Sequence, residues 1–484
     1  MVSQIDFRSV KMRKNIIVLL LDTVRASDTY GNNQLSTINY LSRHATTYER
    51  AVAPGVWTPP SHAALFMDKR VSQIKQVSRN FLTNGTYKID PWMVKTKFLK
   101  ANEETLARKL SVYGYQSVLL SNNPFVTSFT NLATGFESVQ DVWMESNIKY
   151  NKGLASKFNF ILNGGAEARV KMIQTGYWAT RFLPKSIMDR TYTRLRKMMF
   201  ERTAKVDGSY ELDRGSEDTN TCLKKYLSYE RDYRPQFMFL NYIEAHEHYP
   251  VEDTKVSQDK WAYLSGVEEM NEYNMTHLHR GYLKRLRYLD RSVKKTLEIL
   301  KSKGALENAA VIITSDHGQF FGEHGMLFHS LPPYEGISRV PLIAANYRNG
   351  KLVKSRDLVE TPVSVSALHT SILDLAAGKY DYMDGNMRKD RYVLCEHTGV
   401  SEGWDEKLLS MLAPRSVTVA NVLRAKRRYN KKVTAVYRKD MKLMHYFGRK
   451  KDELYNITKD QSESTNIIDS NRLLAHQMAA SLYN

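Results

Sequence analysis

The chain has 484 residues, of which 42% are hydrophobic and 11% aromatic, so it is long enough for a large core and a smaller second unit. Its two cysteines, Cys222 and Cys395, exclude a disulfide framework and a cysteine-rich zinc site. Lys and Arg outnumber Asp and Glu by 71 to 51, and this net charge of +20 favours anionic partners. The N-terminus lacks the apolar stretch of a signal peptide and no run reaches transmembrane length, so we expect a cytoplasmic or otherwise intracellular protein.

The first predicted strand runs from Lys14 to Leu21 and is followed by Asp22. It is apolar at nearly every position, which is typical of a central strand in a largely parallel sheet that is covered on both faces. Ligands of such sheets bind just beyond the carboxyl ends of the strands. Asp22 is therefore a candidate ligand-binding residue.

The next informative stretch surrounds two consecutive prolines. Pro59 and Pro60 can open a helix but cannot lie in its interior. We therefore predict a helix over Ser61–Met67, with Thr58 just ahead of it. The positive end of a helix binds anions, so the hydroxyl of Thr58 is placed to meet one.

Strands and helices then alternate along the chain. We predict a helix over Glu103–Tyr113, strands over Ser117–Leu120 and Gln236–Tyr242, and a long helix over Leu278–Lys301. This order is typical of β-α-β crossovers in a parallel sheet. Residues 141–235 have weak periodicity and a basic bias, and we interpret them as a basic helical insertion.

The strand Val311–Ile313 leads into Asp316, His317 and Gly318. If this strand is parallel to the first, Asp316 and His317 lie at the same sheet edge as Asp22. Two carboxylates and one imidazole nearly neutralise a divalent metal ion and leave a coordination position open. A threonine hydroxyl bound to that ion would become a better nucleophile.

The C-terminal part has a different pattern. After a helix over Val365–Ala377, we predict hairpin strands over Val433–Tyr437 and Lys442–Phe447 and a final helix near Arg472–Leu482. We therefore expect a catalytic domain over residues 1–385 and a small C-terminal α+β subdomain with an antiparallel sheet over residues 386–484.

Several segments, in this order and context, resemble the motifs of the sulfatase/alkaline-phosphatase superfamily. They are Asp22-Thr23-Val24-Arg25-Ala26, Trp57-Thr58-Pro59-Pro60-Ser61-His62-Ala63, Ser121-Asn122-Asn123-Pro124-Phe125, Glu244-Ala245-His246-Glu247-His248-Tyr249, Arg287-Tyr288-Leu289-Asp290, and Lys442-Leu443-Met444 with Glu453-Leu454-Tyr455-Asn456. The resemblance implies an α/β fold, namely an alkaline-phosphatase-like α/β/α sandwich around a large, mostly parallel sheet. It also implies an anionic ester as substrate.

The resemblance further implies a set of site residues. One divalent metal ion (Zn, Mn, Ca or Mg) would be held by Asp22, Thr58, Asp316 and His317, with Thr58 also at the position of the nucleophile. Sulfatases carry at that position a Cys or Ser that is oxidised to formylglycine, which a threonine cannot supply by that route. In addition, His62 stands in place of an arginine.

These departures make the site more similar to superfamily members that use a threonine alkoxide on phosphorus. Those members include phosphodiesterases and the phosphoethanolamine or glycerophosphate transferases. His329, which follows Asp316 in the sequence, resembles a substrate-contacting histidine of the transferases, and His246 resembles another. The sequence therefore predicts a metal-dependent hydrolase or transferase of phosphate esters or diesters that reacts through a covalent Thr58 intermediate.

Three alternatives stay open from the sequence. The protein could be a sulfuric ester hydrolase, that is a sulfatase in substrate as well as in family. It could be an inactive scaffold that binds anions, since Thr23 replaces a second metal-binding aspartate. A second metal ion is the third alternative, because Glu244 and His248 have the i, i+4 spacing of metal ligands.

The excess of basic over acidic residues is concentrated in two clusters. From Ile148 to Lys205 there are thirteen Lys and Arg against three Asp and Glu, and from Arg424 to Lys451 there are twelve against one. Apolar residues accompany the first cluster, as in interfacial segments. We predict that residues 148–205 overhang the active site and contact an anionic substrate, membrane or polyanion; ordinary helical packing is the alternative.

Overall fold

A computed structural model describes the chain over residues 13–74, 98–128, 130–143, 212–229, 233–253, 255–380, 383, 387, 390–399, 418–448 and 451–483. The strands are β1 (Asn15–Leu21), β2 (Thr46–Tyr48), β3 (Ala51–Val52), β4 (Gln116–Ser121), β5 (Ser138–Asp141), β6 (Gln236–Tyr242), β7 (Asn308–Thr314), β8 (Phe320–Phe321), β9 (Leu327–Phe328), β10 (Arg339–Val340), β11 (Leu342–Arg348), β12 (Lys351–Leu352), β13 (Leu358–Val359), β14 (Val363–Ser364), β15 (Val393–Thr398), β16 (Lys432–Arg438), β17 (Met441–Tyr446) and β18 (Glu453–Asn456). The helices are α1 (Ser36–His44), α2 (Thr58–Met67), α3 (Leu106–Val112), α4 (Ser216–Tyr229), α5 (Lys260–Ser265), α6 (Glu272–Ser302), α7 (Glu335–Ser338), α8 (Leu368–Ala376), α9 (Val419–Tyr429) and α10 (Arg472–Ala480).

A nine-stranded sheet forms the centre of the fold. Its strand order is β13-β2-β11-β7-β1-β6-β4-β5, with β12 paired to β11. The strands β7, β1, β6, β4 and β5 run parallel, whereas β11 is antiparallel to β7 and to β2. The predicted large, mostly parallel sheet is confirmed. In β1 and β7, Leu20 lies opposite Thr314, so the residues that follow both strands meet at one edge.

Two apolar cores cover the two faces of this sheet. On one face Ile16 and Val18 of β1 pack in a core that includes residues of α2 and α8. On the other face Ile17 and Leu19 pack in a core that includes residues of α1 and α6. Burial of each such side chain is worth about 1.5–3 kcal/mol, which explains why β1 is apolar at every position after Asn15. The α/β/α sandwich predicted from the resemblance is therefore confirmed.

Helix α2 begins earlier than predicted. It starts at Thr58 rather than at Ser61, and Trp57 before it has an extended backbone with φ −167° and ψ 167°. The first turn of a helix needs no N–H donors and tolerates the fixed φ of proline, so Pro59 and Pro60 fit inside it. Thr58 is thus the first residue of the helix and not a residue ahead of it.

The predicted insertion over residues 141–235 is described only at its two ends. Helix α4 lies near its C-terminal end and leads towards β6. Residues 148–205, for which we predicted contact with an anionic partner, lie outside the described residues. Among the helices that are described, none is long and apolar enough to cross a membrane.

The C-terminal part contains a separate antiparallel sheet, as predicted. It has four strands in the order β15-β16-β17-β18, and α10 packs on one of its faces. On the side of the catalytic domain, the buried Lys442 of β17 donates a hydrogen bond to Glu335 of α7 over 3.0 Å and lies 2.7 Å from Glu463. The boundary at residues 385 and 386 stays a prediction.

Candidate active site

The carboxyl ends of β1 and β7 bring three predicted residues together. Asp22 follows β1, and Asp316 and His317 follow β7. Ligand atoms of these three residues lie within 4.8 Å of one another, and all three residues are buried. We call them the Asp–Asp–His group. Its members were predicted from the sequence to share one edge of the sheet.

The carboxylates of the Asp–Asp–His group have oxygens without hydrogen-bond partners. Among the described residues, Asp22 Oδ1 and Asp316 Oδ2 accept no hydrogen bond although both are buried. Burial and the nearby charge of Asp316 raise the pKa of Asp22 well above its usual range, and burial raises the pKa of Asp316 to about 7. Two buried carboxylates side by side are costly unless a cation lies between them. These residues therefore fit a divalent metal ion.

The imidazole of His317 is oriented as metal-binding histidines are. Its Nδ1 donates a hydrogen bond to the carbonyl oxygen of Gly318 over 2.9 Å, which leaves Nε2 with a free lone pair. Burial lowers the pKa of His317 well below its usual range, so the ring is neutral at neutral pH. A neutral imidazole is the form that binds a metal ion.

The hydroxyl of Thr58 lies against this group. Thr58 Oγ1 donates to Asp22 Oδ2 over 3.2 Å and is 3.4 Å from His317 Nε2. The residue is 3% exposed. The predicted metal-binding set of Asp22, Thr58, Asp316 and His317 is therefore brought together by the fold, and a hydroxyl in this place could attack a bound ester.

Asn123 is a site residue that the sequence indicated only as part of a motif. It follows the parallel strand β4, and its Nδ2 donates to Asp22 Oδ2 over 2.5 Å. Its Oδ1 accepts from the backbone N–H of Phe125 over 2.8 Å, which fixes the orientation of the amide. Its position after a buried parallel strand was the signal that could have singled it out.

His62, at the position where the resemblance implied an arginine, is neutral and structural. Its Nδ1 donates to the carbonyl oxygen of Thr58 over 3.0 Å, so its Nε2 accepts from Asn241 Nδ2 over 3.0 Å. Burial lowers the pKa of His62 to about 4. The side chain consequently steadies the first turn of α2 and supplies no positive charge to a substrate.

Thr23, which replaces an aspartate, directs its hydroxyl to the backbone. Its Oγ1 donates to the carbonyl oxygen of Asp22 over 2.7 Å. Its backbone N–H donates to Asp316 Oδ1 over 3.3 Å. Thr23 therefore joins the two strand ends and leaves the remaining carboxylate oxygens to other partners.

A second cluster lies beside the first and contains both predicted histidines. The rings of His246 and His329 are 4.9 Å apart, and the ring of His329 is 4.7 Å from that of His317. Glu247 Oε2 is 3.2 Å from His246 Nδ1 and 3.4 Å from His329 Nδ1. We call His246, Glu247 and His329 the His–Glu–His group. Sequence reasoning missed Glu247.

Burial and mutual electrostatic attraction oppose each other in the His–Glu–His group. Although burial opposes ionisation, His246 and His329 hold the pKa of Glu247 well below its usual range. Burial lowers the pKa of His246 to about 4, although the neighbouring carboxylate of Glu247 favours the charged form of the ring. Lys260 at the start of α5 was also missed; it donates to the carbonyl oxygen of His329 over 3.0 Å, and burial lowers its pKa to about 8.

Two arginines hold the loop that carries His246 and Glu247. Arg214 Nη1 donates to the carbonyl oxygen of His246 over 2.9 Å and to that of Glu247 over 2.7 Å. Arg285 of α6 donates to the carbonyl oxygen of His248 over 3.1 Å. The loop backbone is thus fixed by two side chains from outside the loop, one from the segment before α4 and one from α6.

The possible metal pair of Glu244 and His248 is not brought together. Glu244 Oε1 accepts from the backbone N–H of Ser216 over 2.8 Å and from that of Arg214 over 3.2 Å, so it caps the start of α4. His248 is exposed. The i, i+4 spacing indicates metal ligands only on a helix, and this segment is a loop.

Comparisons with known proteins agree with this fold. A profile of the sulfatase family matches residues 14–379. The extracellular sulfatase SULF-1 homolog of Drosophila melanogaster is 26% identical over 216 residues, which are 44% of this chain and 18% of that protein. The chain therefore spans only a small part of that relative.

Two solved structures have the same fold over nearly the whole chain. A putative sulfatase from Bacteroides thetaiotaomicron has a TM-score of 0.61 at 16% identity and covers 98% of this chain and 92% of its own. The phosphonate monoester hydrolase of Agrobacterium radiobacter has a TM-score of 0.59 at 14% identity, with 97% and 95% covered. These likenesses establish the fold, and the profile match over residues 14–379 shows that the chain belongs to the sulfatase family.

Proposed function

We propose that this sulfatase-family protein is a metal-dependent hydrolase or transferase of phosphate esters or diesters that forms a covalent intermediate on Thr58. The observation that carries the proposal is the place of Thr58 Oγ1, 3.2 Å from Asp22 Oδ2 and 3.4 Å from His317 Nε2. A threonine cannot be converted to formylglycine by the route that sulfatases use. It can attack phosphorus through its own oxygen, and this favours a phosphate ester as substrate.

One divalent ion would be held by Asp22, Thr58, Asp316 and His317. The buried carboxylate oxygens without hydrogen-bond partners support this set. When bound, such an ion lowers the pKa of a coordinated hydroxyl and draws electron density from a substrate oxygen. Zn, Mn, Ca and Mg all bind carboxylate oxygens, so the donor atoms leave the identity of the ion open.

The reaction is a double displacement. In the first step Thr58 Oγ1 forms a bond to phosphorus and the bond from phosphorus to the leaving oxygen breaks. The proton of the Thr58 hydroxyl faces Asp22 Oδ2, its hydrogen-bond acceptor in the structure. In the second step water or another alcohol attacks the same phosphorus and the bond from phosphorus to Thr58 Oγ1 breaks. The attacking oxygen gives its proton to His329, and Thr58 regains the proton directed to Asp22 Oδ2. An alcohol as acceptor makes the protein a transferase.

His246 and His329 lie where they can act on the substrate. His329 has its ring 4.7 Å from that of the predicted metal ligand His317 and 4.9 Å from that of His246. Glu247 Oε2 lies near Nδ1 of both rings, and Lys260 donates a hydrogen bond to the carbonyl oxygen of His329. We infer that the two imidazoles contact the nonbridging oxygens, where charge builds up, and that His329 supplies the proton for the leaving oxygen.

Sulfate ester hydrolysis is the second candidate, and family membership favours it. Sulfate and phosphate monoesters have the same tetrahedral shape, so the Asp–Asp–His group could accept both. The sulfatase route, however, requires the formylglycine that Thr58 cannot supply. A Thr58→Cys variant, produced together with a formylglycine-generating enzyme, would then gain sulfatase activity.

The experiment is a substrate screen on the purified full chain. Aryl phosphate monoesters, diesters, phosphonates and sulfates are each assayed with added Zn, Mn, Mg or Ca. Intact mass spectrometry of the reacting protein then looks for the phosphoryl adduct, and peptide mapping locates it. We expect turnover of a phosphate ester with an adduct on Thr58. Turnover of sulfates alone would refute the phosphate proposal, and inactivity with every metal and ester would favour the inactive scaffold.

A further inference from the structure

Helix α9 carries the second basic cluster of the sequence, which the proposed reaction does not use. Between Arg424 and Lys432 there are six Lys and Arg and no Asp or Glu. The helix belongs to the C-terminal part and precedes β16 in the chain. The contacts of the helix with the rest of the protein determine which of these positive charges face outwards.

One face of α9 is packed against the protein. Val422, Ala425 and Tyr429 are buried. Asn421 Nδ2 donates to the carbonyl oxygen of Ser265 at the end of α5 over 3.0 Å. These contacts fix the rotation of α9 about its axis, and they therefore determine which residues face outwards.

The outward face combines apolar and basic side chains. Val419 is 76% exposed and Leu423 is 48% exposed, and Arg424 and Arg427 are exposed as well. At 3.6 residues per turn, Leu423 is about 40° from Val419 and Arg427 about 40° further on, while Arg424 is about 100° from Leu423. An apolar strip with arginines along its side is the pattern of an interfacial helix. We call Val419, Leu423, Arg424 and Arg427 the α9 surface.

The positive charges of this helix lie close to one another. Arg427 Nε donates to the carbonyl oxygen of Leu423 in the same helix over 3.3 Å. The pKa of Arg428 is lowered by its burial and by the charge of Arg424. Mutual repulsion of this kind is relieved when an anionic surface approaches, so the charges favour an anionic partner.

A cation and an apolar ring also meet just beyond the C-terminal end of α9. Lys432 Nζ lies 4.7 Å from the centre of the Phe447 ring, and Phe447 is 36% exposed. A soluble polyanion would use the cations and gain nothing from exposed valine, leucine and phenylalanine. A membrane uses both, because apolar side chains enter the acyl boundary while cations meet the headgroups.

We propose that the α9 surface docks on a membrane that contains anionic lipids, with Val419 and Leu423 inserted at the headgroup boundary and Arg424 and Arg427 on the headgroups. The α9 surface lies on the side of the helix opposite to the face that packs on α5. Helix α5, on which α9 packs, begins at Lys260, and Lys260 donates to the carbonyl oxygen of His329. The proposal does not depend on the identity of the substrate.

The test is co-sedimentation of the purified full chain with vesicles of phosphatidylcholine, with and without phosphatidylserine, at low and high salt. Two double variants are compared. Val419→Ser with Leu423→Ser removes the apolar side chains, and Arg424→Gln with Arg427→Gln removes the positive charges. The matched control on α10 is Leu473→Ser with Arg472→Gln, because Leu473 is 73% exposed and Arg472 pairs with Asp469, three residues away, over 2.8 Å. Thermal unfolding checks that all variants fold.

We expect the wild-type chain to bind phosphatidylserine vesicles at low salt and to lose binding at high salt. Each lost arginine should weaken binding about fivefold, the serine pair about threefold or more, and the α10 control should bind as the wild type does. Absence of wild-type binding at low salt, or full binding by both α9 variants, would overturn the proposal. One further result would overturn it. If the Val419→Ser, Leu423→Ser variant binds vesicles normally, while the Arg424→Gln, Arg427→Gln variant loses binding both to vesicles and to heparin, the α9 surface is a polyanion site and not a membrane site.

Discussion

The Asp–Asp–His group and the His–Glu–His group lie side by side, but the chain builds them in different ways. The first comes from the ends of the parallel strands β1 and β7, and its backbone is fixed by the sheet. The second comes from loops, and its backbone is fixed by Arg214 and Arg285 from distant parts of the chain. We therefore expect the first group to set whether the protein reacts at all, and the second to set how fast it reacts.

The largest effect should come from Thr58. Thr58→Ala removes the proposed nucleophile, so the rate should fall more than about 10³-fold, equivalent to about 4 kcal/mol of barrier. Thr58→Ser keeps a hydroxyl and should keep activity. Steady-state assays with the best ester of the screen measure both, and elemental analysis checks that metal is retained. Near wild-type turnover by Thr58→Ala would refute the mechanism.

The next effect concerns metal content. Asp316→Ala removes one carboxylate of the Asp–Asp–His group, and we expect the purified chain to lose its divalent ion together with its activity. Inductively coupled plasma analysis of the variant and the wild type measures the loss. Asp357→Ala is the control, because the carboxylate of Asp357 lies at the surface and accepts a hydrogen bond from the hydroxyl of Ser355. Equal metal in Asp316→Ala and wild type would show that the ion is held elsewhere.

A smaller effect is expected from Glu247. Glu247→Gln leaves the strand ends intact but weakens the hold on His246 and His329, so turnover should fall about 10²-fold while the metal stays bound. The comparison variant is Glu252→Gln, because Glu252 is nearby in the chain but pairs with Lys284 at the surface. Loss of metal in Glu247→Gln would mean that the His–Glu–His group also helps to hold the metal ion.

The smallest effect should come from Arg214. Arg214→Gln leaves the carbonyl oxygens of His246 and Glu247 without their charged donor, and the loop can shift without loss of the sheet. We expect turnover to fall about tenfold or more, with metal content and melting temperature close to wild type. Arg214→Lys should restore part of the rate, because an ammonium still donates to the carbonyls. A change in stability without a change in rate would assign Arg214 a structural role alone.

Sequence patterns predicted the strand-end residues well, for a physical reason. A continuous apolar run such as β1 can lie only in the middle of a covered sheet, and parallel strands end together. Asp22, Asp316 and His317 could thus be placed from local signals. Thr58 was placed near the site, although its helix begins three residues earlier than predicted because proline is compatible with the first helical turn.

The loop residues could not be placed in the same way. Glu247 and Lys260 act through contacts with His329, which are distant in sequence and follow no periodicity. Glu244 has the spacing of a metal ligand but caps α4, because its segment is a loop and not a helix. The roles of such loop residues can be recognised only when their partners from distant parts of the sequence are known.

The buried Lys442 has a consequence for dissecting the protein. Its ammonium lies between Glu335 and Glu463, and Glu335 directly precedes Gly336, whose carbonyl oxygen would be 2.2 Å from a Cβ on Gly318. Gly318 follows His317, so the C-terminal sheet contacts, through Glu335 and Gly336, the loop that carries Asp316 and His317. Expression of the chain without its C-terminal sheet would remove Lys442, Tyr437 and Glu463, which contact Glu335, and would expose this interface to water. The two parts should consequently be inherited, exchanged and engineered as one piece.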